Sequence, residues 1–157
     1  MAATADRRRA SVAHDAWRLL FEVTRSKHAP LSAALAELDL TLVQGRALRL
    51  LQPDRPLGMS DLAERLTCHA SNVTGLVDRL EARGLVERRP GLDDRRVKTL
   101  ALTDAGVALR ERVVELMSAP PAAIAALPER DQRALRDILA RALGDEAAGA
   151  SYSRRGR

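Results

Sequence analysis

Apolar residues recur every three to four positions through most of the chain. Val12, Ala16, Leu19, Leu20 and Val23 form one stripe, the repeat of an amphipathic helix. Pro30 interrupts it, because proline lacks a backbone donor and clashes one turn back. Leu31, Leu35 and Leu38 then resume the stripe, which predicts a long first helix, kinked or broken. Thr41 is a predicted N-cap for a helix running to about Gln52, and "PDRPLG" is a loop by its prolines and glycine. Ser60 is the expected cap of a short helix, "SDLAERLT", with Leu62 and Leu66 one turn apart. After a three-residue turn, "CHA", Ser71 is the expected cap of the next helix. There Val73, Leu76, Val77 and Leu80 sit at i, i+3, i+4 and i+7. Gly84 should close that helix in the left-handed conformation common just past a C-cap. Two short helices around a three-residue turn form a helix-turn-helix.

The period then changes. "LVERR" and "VKTLALT" flank "PGLDD", two strands around a Pro-Gly turn and hence a β-hairpin. Thr103 starts another helix, striped by Leu109, Val113, Leu116 and Met117. "APPAAIAALPE" breaks it, and a last helix carries Leu135, Ile138, Leu139 and Leu143 on one face. The fold class is therefore mostly α with a small β-hairpin wing. It is a winged helix-turn-helix core flanked by N- and C-terminal dimerisation helices, since so small a core cannot cover every apolar stripe and symmetric pairing can. Residues 1–10 and 145–157 lack periodicity and are expected as disordered tails. Residues 11–144 are expected as one domain, with 41–106 as the DNA-binding core and 11–38 and 104–144 as dimerisation helices.

Composition narrows the class. Hydrophobic residues make up 46% of the 157 but aromatics only 2%, so the core is built from Leu, Val and Ala, a mix that favours helices. The formal charge of +5 suits an anionic partner, nucleic acid or a membrane surface, without choosing between them. No apolar run approaches the roughly 20 residues of a membrane span. "MAATADRRRAS" has no apolar stretch behind its charges and is not a signal peptide. A cytoplasmic protein without membrane contact is the expectation. One cysteine, Cys68, rules out an intrachain disulfide framework. It stands in the turn before the fourth helix, where a small buried thiol is a commoner role than a redox switch.

The residues expected to carry function lie on the helix after that turn and on the hairpin. With the four apolar residues inward, the helix presents Ser71, Asn72, Thr74, Gly75, Asp78, Arg79 and Ala82 outward. Its first half is small and polar, able to enter a groove about 12 Å wide and to hydrogen-bond base edges. Arg79 and Arg83 lie further along, within reach of phosphates. Asp78 is repelled by phosphate and is expected to pair with Arg79, another neighbouring arginine or a wing residue, with acceptance from a cytosine amino group as the alternative. The hairpin tip "PGLDDRR" places Arg95 and Arg96 where a narrow minor groove attracts arginine. Asp94 can orient Arg96, and Lys98, Arg88 and Arg89 add cations along the strands. The bland alternative, a charged tip that only discourages edge pairing, is weaker next to a helix-turn-helix in a basic protein.

"MSDLAERL", "ASNVTGLVDRLEARGLVERR" and "DDRRVKTLALTDAG" resemble the winged-helix core of the MarR family, the multiple-antibiotic-resistance regulators. The family's wing pattern, Asp-x-Arg-x5-Leu-Thr, is met by Asp94, Arg96, Leu102 and Thr103. The likeness covers about residues 56–106, and flanking helices extend it to about 12–143. The resemblance implies a homodimeric, sequence-specific transcription regulator of pseudo-palindromic double-stranded DNA, in most members a repressor. Recognition helices would enter major grooves and wings the flanking minor grooves. In many members small aromatic or phenolic effectors cause release. The chain departs from the pattern at Gly75, where a large polar residue is common, at Asp39 in place of a glycine, and at Pro30.

Trp17 and Phe21 lie one turn apart on the first helix and are candidates for lining an effector pocket, with plain dimer-interface packing the preferred account. His14, His28 and His69 match no metal-ligand spacing, so neither a metal nor a cofactor is expected. No phosphate-cradling loop, HExxH or GxSxG occurs, and the protein is not expected to be an enzyme. The alternative function is a winged-helix protein-interaction module without specific DNA binding.

Overall fold

The computed structural model describes residues 2–90 and 98–144, with the backbone alone at residues 2–10, 70 and 71. Eight helices and three short strands follow one another among these residues. They fall into two compact units, one formed by His28–Ala119 and the other by Met1–Lys27 with Pro120–Arg157.

The central unit contains α2 (His28–Ala36), α3 (Leu42–Leu50), β1 (Leu57–Gly58), α4 (Met59–Leu66), α5 (Ala70–Ala82), β2 (Val86–Pro90), β3 (Lys98–Leu102) and α6 (Asp104–Ser118). The strands form one antiparallel sheet in the order β1-β3-β2. Leu57 pairs with Leu100, and Val86 with Leu102. The aliphatic core is continuous from Leu35 on α2 through Leu48, Leu62, Leu80 and Leu100 to Val113 on α6, each with no exposed surface. Leu35 and Val113 thus belong to the winged-helix core, although both lie in segments expected to serve dimerisation.

Local chemistry explains the boundaries. Thr41 accepts from the Gln44 N–H, and the Gln44 side chain accepts from the Thr41 N–H, a complete capping box. Thr103 accepts from the Gly106 N–H and caps α6. Gly84 has φ +66° just beyond the last turn of α5, as a C′ glycine should. Gly106 is required for a different reason. A Cβ there would stand 1.9 Å from the Leu85 carbonyl oxygen, so this glycine lets α6 start directly against the chain entering the wing.

Four expectations change in and beside the central unit. The first break falls at Lys27 rather than Pro30, which sits in the first turn of α2, where a missing N–H costs nothing. Ser60 does not cap α4; Gly58 does, because Leu57 and Gly58 are already paired with β3 and the helix turns directly out of that strand. Ser71 does not cap α5, which begins at Ala70 with His69 as its N-cap residue. "PDRPLG" ends in a strand that the two-residue length of β1 hides from any periodicity.

The other unit contains α1 (Ala2–Ser26), α7 (Ala122–Ala125) and α8 (Glu129–Leu143). Helix α1 includes residues expected to lie in a loose tail, since "AATADRRRAS" holds no Gly or Pro to stop it. Gln132 donates to the carbonyls of Ala125 and Leu127 and so fixes the turn into α8. Neither α7 nor α8 has a buried residue. Val12, Trp17, Leu19, Phe21, Ile138 and Leu143 are each more than half exposed. No described helix is long and apolar enough to cross a membrane.

Candidate nucleic-acid interface

Helix α5 is set by its apolar face. Val73, Leu76, Val77 and Leu80 are buried, which turns Asn72, Thr74, Asp78, Arg79 and Ala82 outward. The outward face divides along its length. Its first two turns present Asn72, Thr74 and the notch at Gly75, where an added Cβ would find only the Arg79 guanidinium, at 3.7 Å. Arg79 folds back so that its Nε donates to the Gly75 carbonyl, 3.0 Å away, a geometry that the notch leaves open.

The second half of the face is tied to its surroundings. Arg83, expected at DNA phosphates, donates from Nη1 to the Asp39 carbonyl (2.5 Å) and from Nη2 to the Leu38 carbonyl (3.1 Å). Its guanidinium braces the end of α5 against the turn between α2 and α3, where Asp39 adopts φ +53°. Asp78 pairs with a wing residue as expected, its Oδ1 accepting from Arg88 Nη2 at 2.5 Å. Glu81 accepts from Arg88 Nη1 as well. These contacts, the Asp78 hydrogen bond foremost, hold the Arg88 guanidinium more firmly protonated than an ordinary arginine. Arg89 pairs with Glu87 on its own strand. Of the cations expected at DNA, Arg83 is thus engaged with backbone carbonyls, while Lys98 stands exposed at the start of β3. Asp94, Arg95 and Arg96, and the side chain of Ser71, lie outside the described residues.

A cleft of ≈ 440 Å³ opens beside the same face. Asn72, Gly75 and Arg79 of α5 line it together with Thr41 and Gln44 at the head of α3 and with Cys68. The half-buried Cys68 thiol donates to the Leu66 carbonyl at 3.4 Å. Trp17 and Phe21, the residues proposed from sequence for a pocket, are 64% and 55% exposed on α1. Among the described residues no group of three or more His, Cys, Asp or Glu could hold a metal ion. The roles of Glu81 and Arg83 were missed in the sequence. Glu81 lies three residues after Asp78, on the same side of the helix, and that spacing is the signal that was available.

The helix-turn-helix α4–α5, followed by the β2–β3 hairpin, makes the central unit a winged helix. The model of the MarR family matches residues 40–98, from the head of α3 to the first residue of β3. The HTH-type transcriptional regulator FarR of Neisseria gonorrhoeae is 33% identical over 134 residues, 74% of this chain and 91% of its own length. The chain belongs to the MarR family. The uncharacterised HTH-type regulator YfiV of Bacillus subtilis is 36% identical over 88 residues, 56% of this chain, and the chain spans only 55% of YfiV's length. The reduced form of Escherichia coli MarR superposes with TM-score 0.70 at 26% identity, over 81% of this chain and 95% of the other. A cysteine-to-serine mutant of the same protein, complexed with operator DNA, superposes at 0.61 with 26% identity, over 81% and 92%.

Proposed function

We propose that this protein is a homodimeric, sequence-specific DNA-binding transcription regulator, a cytoplasmic repressor released by a small aromatic or phenolic ligand. The observation that carries this reading is the outward face of α5. Asn72, Thr74 and Gly75 project from a helix whose opposite side is wholly buried, beside a hairpin that carries Lys98 and whose connecting sequence holds Arg95 and Arg96. Side chains this small let the helix backbone come close to base edges, with Asn72 suited to adenine. Ser71, Arg79 and the two connecting arginines complete the proposed contact set, with Asp94 orienting Arg96. The operator-bound form of the E. coli relative supports the same use of the fold.

Pairing is supported by the terminal helices. Trp17, Phe21, Ile138 and Leu143 are more than half exposed, and a second copy covering them gives a symmetric dimer whose recognition helices read a pseudo-palindrome. Release is supported by the cleft beside α5. A ligand there and a DNA groove compete for Asn72, Gly75 and Arg79.

Selection from random duplexes should return a roughly palindromic site bound in a salt-dependent way. Lys98→Ala should weaken that binding several-fold and lower the slope of log K against log salt by about 1. Adding phenolic acids should release the duplex. Weak, unselective binding at all salt concentrations would leave the protein-interaction module in its place, and loss of Arg95 and Arg96 would then change nothing.

A further inference from the structure

Among the described residues, Arg88 is the one cation of the wing strands whose side chain is seen bonded to a helix. β2 is an outer strand, with β3 on one side only, so the N–H groups along its free edge lack ladder partners. The free-edge N–H of Arg88 is taken by Glu81 Oε1 at 3.3 Å. The other Glu81 oxygen accepts from Nη1 of the same residue. Nη2 reaches Asp78 Oδ1, one turn earlier on α5, at 2.5 Å. Two carboxylates of the recognition helix therefore hold one wing residue at three points. The Arg88 side chain is 22% exposed, against 57% for Arg89, which pairs along its own strand. Arg88 is thus directed inward and compensated, and is poorly placed to neutralise phosphate.

We propose that Asp78, Glu81 and Arg88 are positioning residues that fix the direction of the wing relative to the recognition helix, so that both meet the duplex as one body. The proposal rests on the DNA-binding reading above. It reverses the usual charge rule, because two anions near the DNA face increase affinity by aiming the wing. It also separates arginine from lysine. A planar guanidinium can fork between two carboxylates, whereas an ammonium acts as a point charge.

The test uses the full chain and a selected duplex, with binding followed by fluorescence anisotropy over a range of salt. Arg88→Lys and the double variant Asp78→Asn/Glu81→Gln should each weaken specific binding by about tenfold, a loss of the order that one misplaced contact set gives. The salt slope should stay at the wild-type value. A phosphate-contacting arginine would behave otherwise: lysine would restore binding, alanine would lower the slope by about 1, and removing two carboxylates would tighten the complex. Any of those three results overturns the proposal. Amide hydrogen exchange of the free protein provides a readout without DNA. The Arg88 N–H should be protected in the wild type and exposed to exchange in Glu81→Ala, which removes the acceptor, while β3 is unchanged. No protection in the wild type would sink the clamp even if DNA binds. Failure of the wild type to bind any selected duplex, with that protection intact, would instead refute the DNA-binding reading.

Discussion

The two units use their apolar residues in opposite ways. In His28–Ala119 the large aliphatic side chains of α2, α3, α4, α5 and α6 converge, and Leu35, Leu48, Leu62, Leu80 and Leu100 show no surface at all. In the terminal unit neither α7 nor α8 buries a residue, and the single Trp and Phe of the chain stand mostly exposed on α1. A dense core gains stability from every methyl group removed from water. An amphipathic helix left uncovered gains that only from a partner. With the proposed dimer, the contrast separates substitutions that act within one chain from those that act on association.

The largest effect should come from Gly106→Ala. The added Cβ would meet the Leu85 carbonyl oxygen at 1.9 Å, far inside contact distance. Since this is backbone against backbone, relief requires moving the start of α6 away from the wing. Thermal unfolding should show a loss of more than about 3 kcal/mol, beyond ordinary overpacking. Full recovery of wild-type melting would disprove the close approach.

Next in size is a paired test of the contrast itself. Leu48→Ala, at a position with no exposed surface, should cost about 2–5 kcal/mol, equally at every protein concentration. Trp17→Ala with Phe21→Ala should instead make melting more concentration-dependent and shift sedimentation toward the monomer. If the aromatic pair lowers stability independently of concentration, the terminal unit has an internal core after all.

A smaller and opposite change is expected at Gly75. Its backbone is helical, and the nearest neighbour of an added Cβ is a flexible guanidinium at 3.7 Å. Gly75→Ala should raise stability by about 0.5–1 kcal/mol while changing which duplexes are selected. A variant stabilised but unchanged in selection would show that the notch does not face DNA.

The least effect is expected from pH acting on Arg88. Its folded-state pKa is raised, first by the Asp78 hydrogen bond. The stabilisation is therefore complete below the unfolded arginine value and is lost only as pH rises through the folded one. Both lie far above neutral pH. The difference in stability between wild type and Arg88→Lys should be flat between about pH 7 and 9, as measured by chemical denaturation at several pH values.

Much of the fold was legible in the sequence because it is written in local terms. The helical stripe at Val73, Leu76, Val77 and Leu80, the cap at Thr41 and the stop at Gly84 all behave as short-range chemistry dictates. What was not legible depends on residues far apart in the chain. β1 exists because Leu57 meets Leu100, and nothing in two residues announces a strand. Arg83 looks like a phosphate ligand until the turn at Leu38 and Asp39, more than forty residues away, receives its guanidinium. Among the described residues, the outward positions Asn72, Thr74, Asp78, Arg79 and Ala82 of α5 do share an exposed face. Which of them are engaged elsewhere depended on tertiary partners.

The division of α5 into a small-residue front and a rear fastened to the wing and to the α2–α3 turn has a consequence for how such a protein can change. Alterations at Asn72 and Gly75 leave untouched the attachments made by Asp78, Glu81 and Arg83. If α5 reads DNA as proposed, descendants of this chain can drift to new target sequences by swapping a few front letters, without first relearning how to fold.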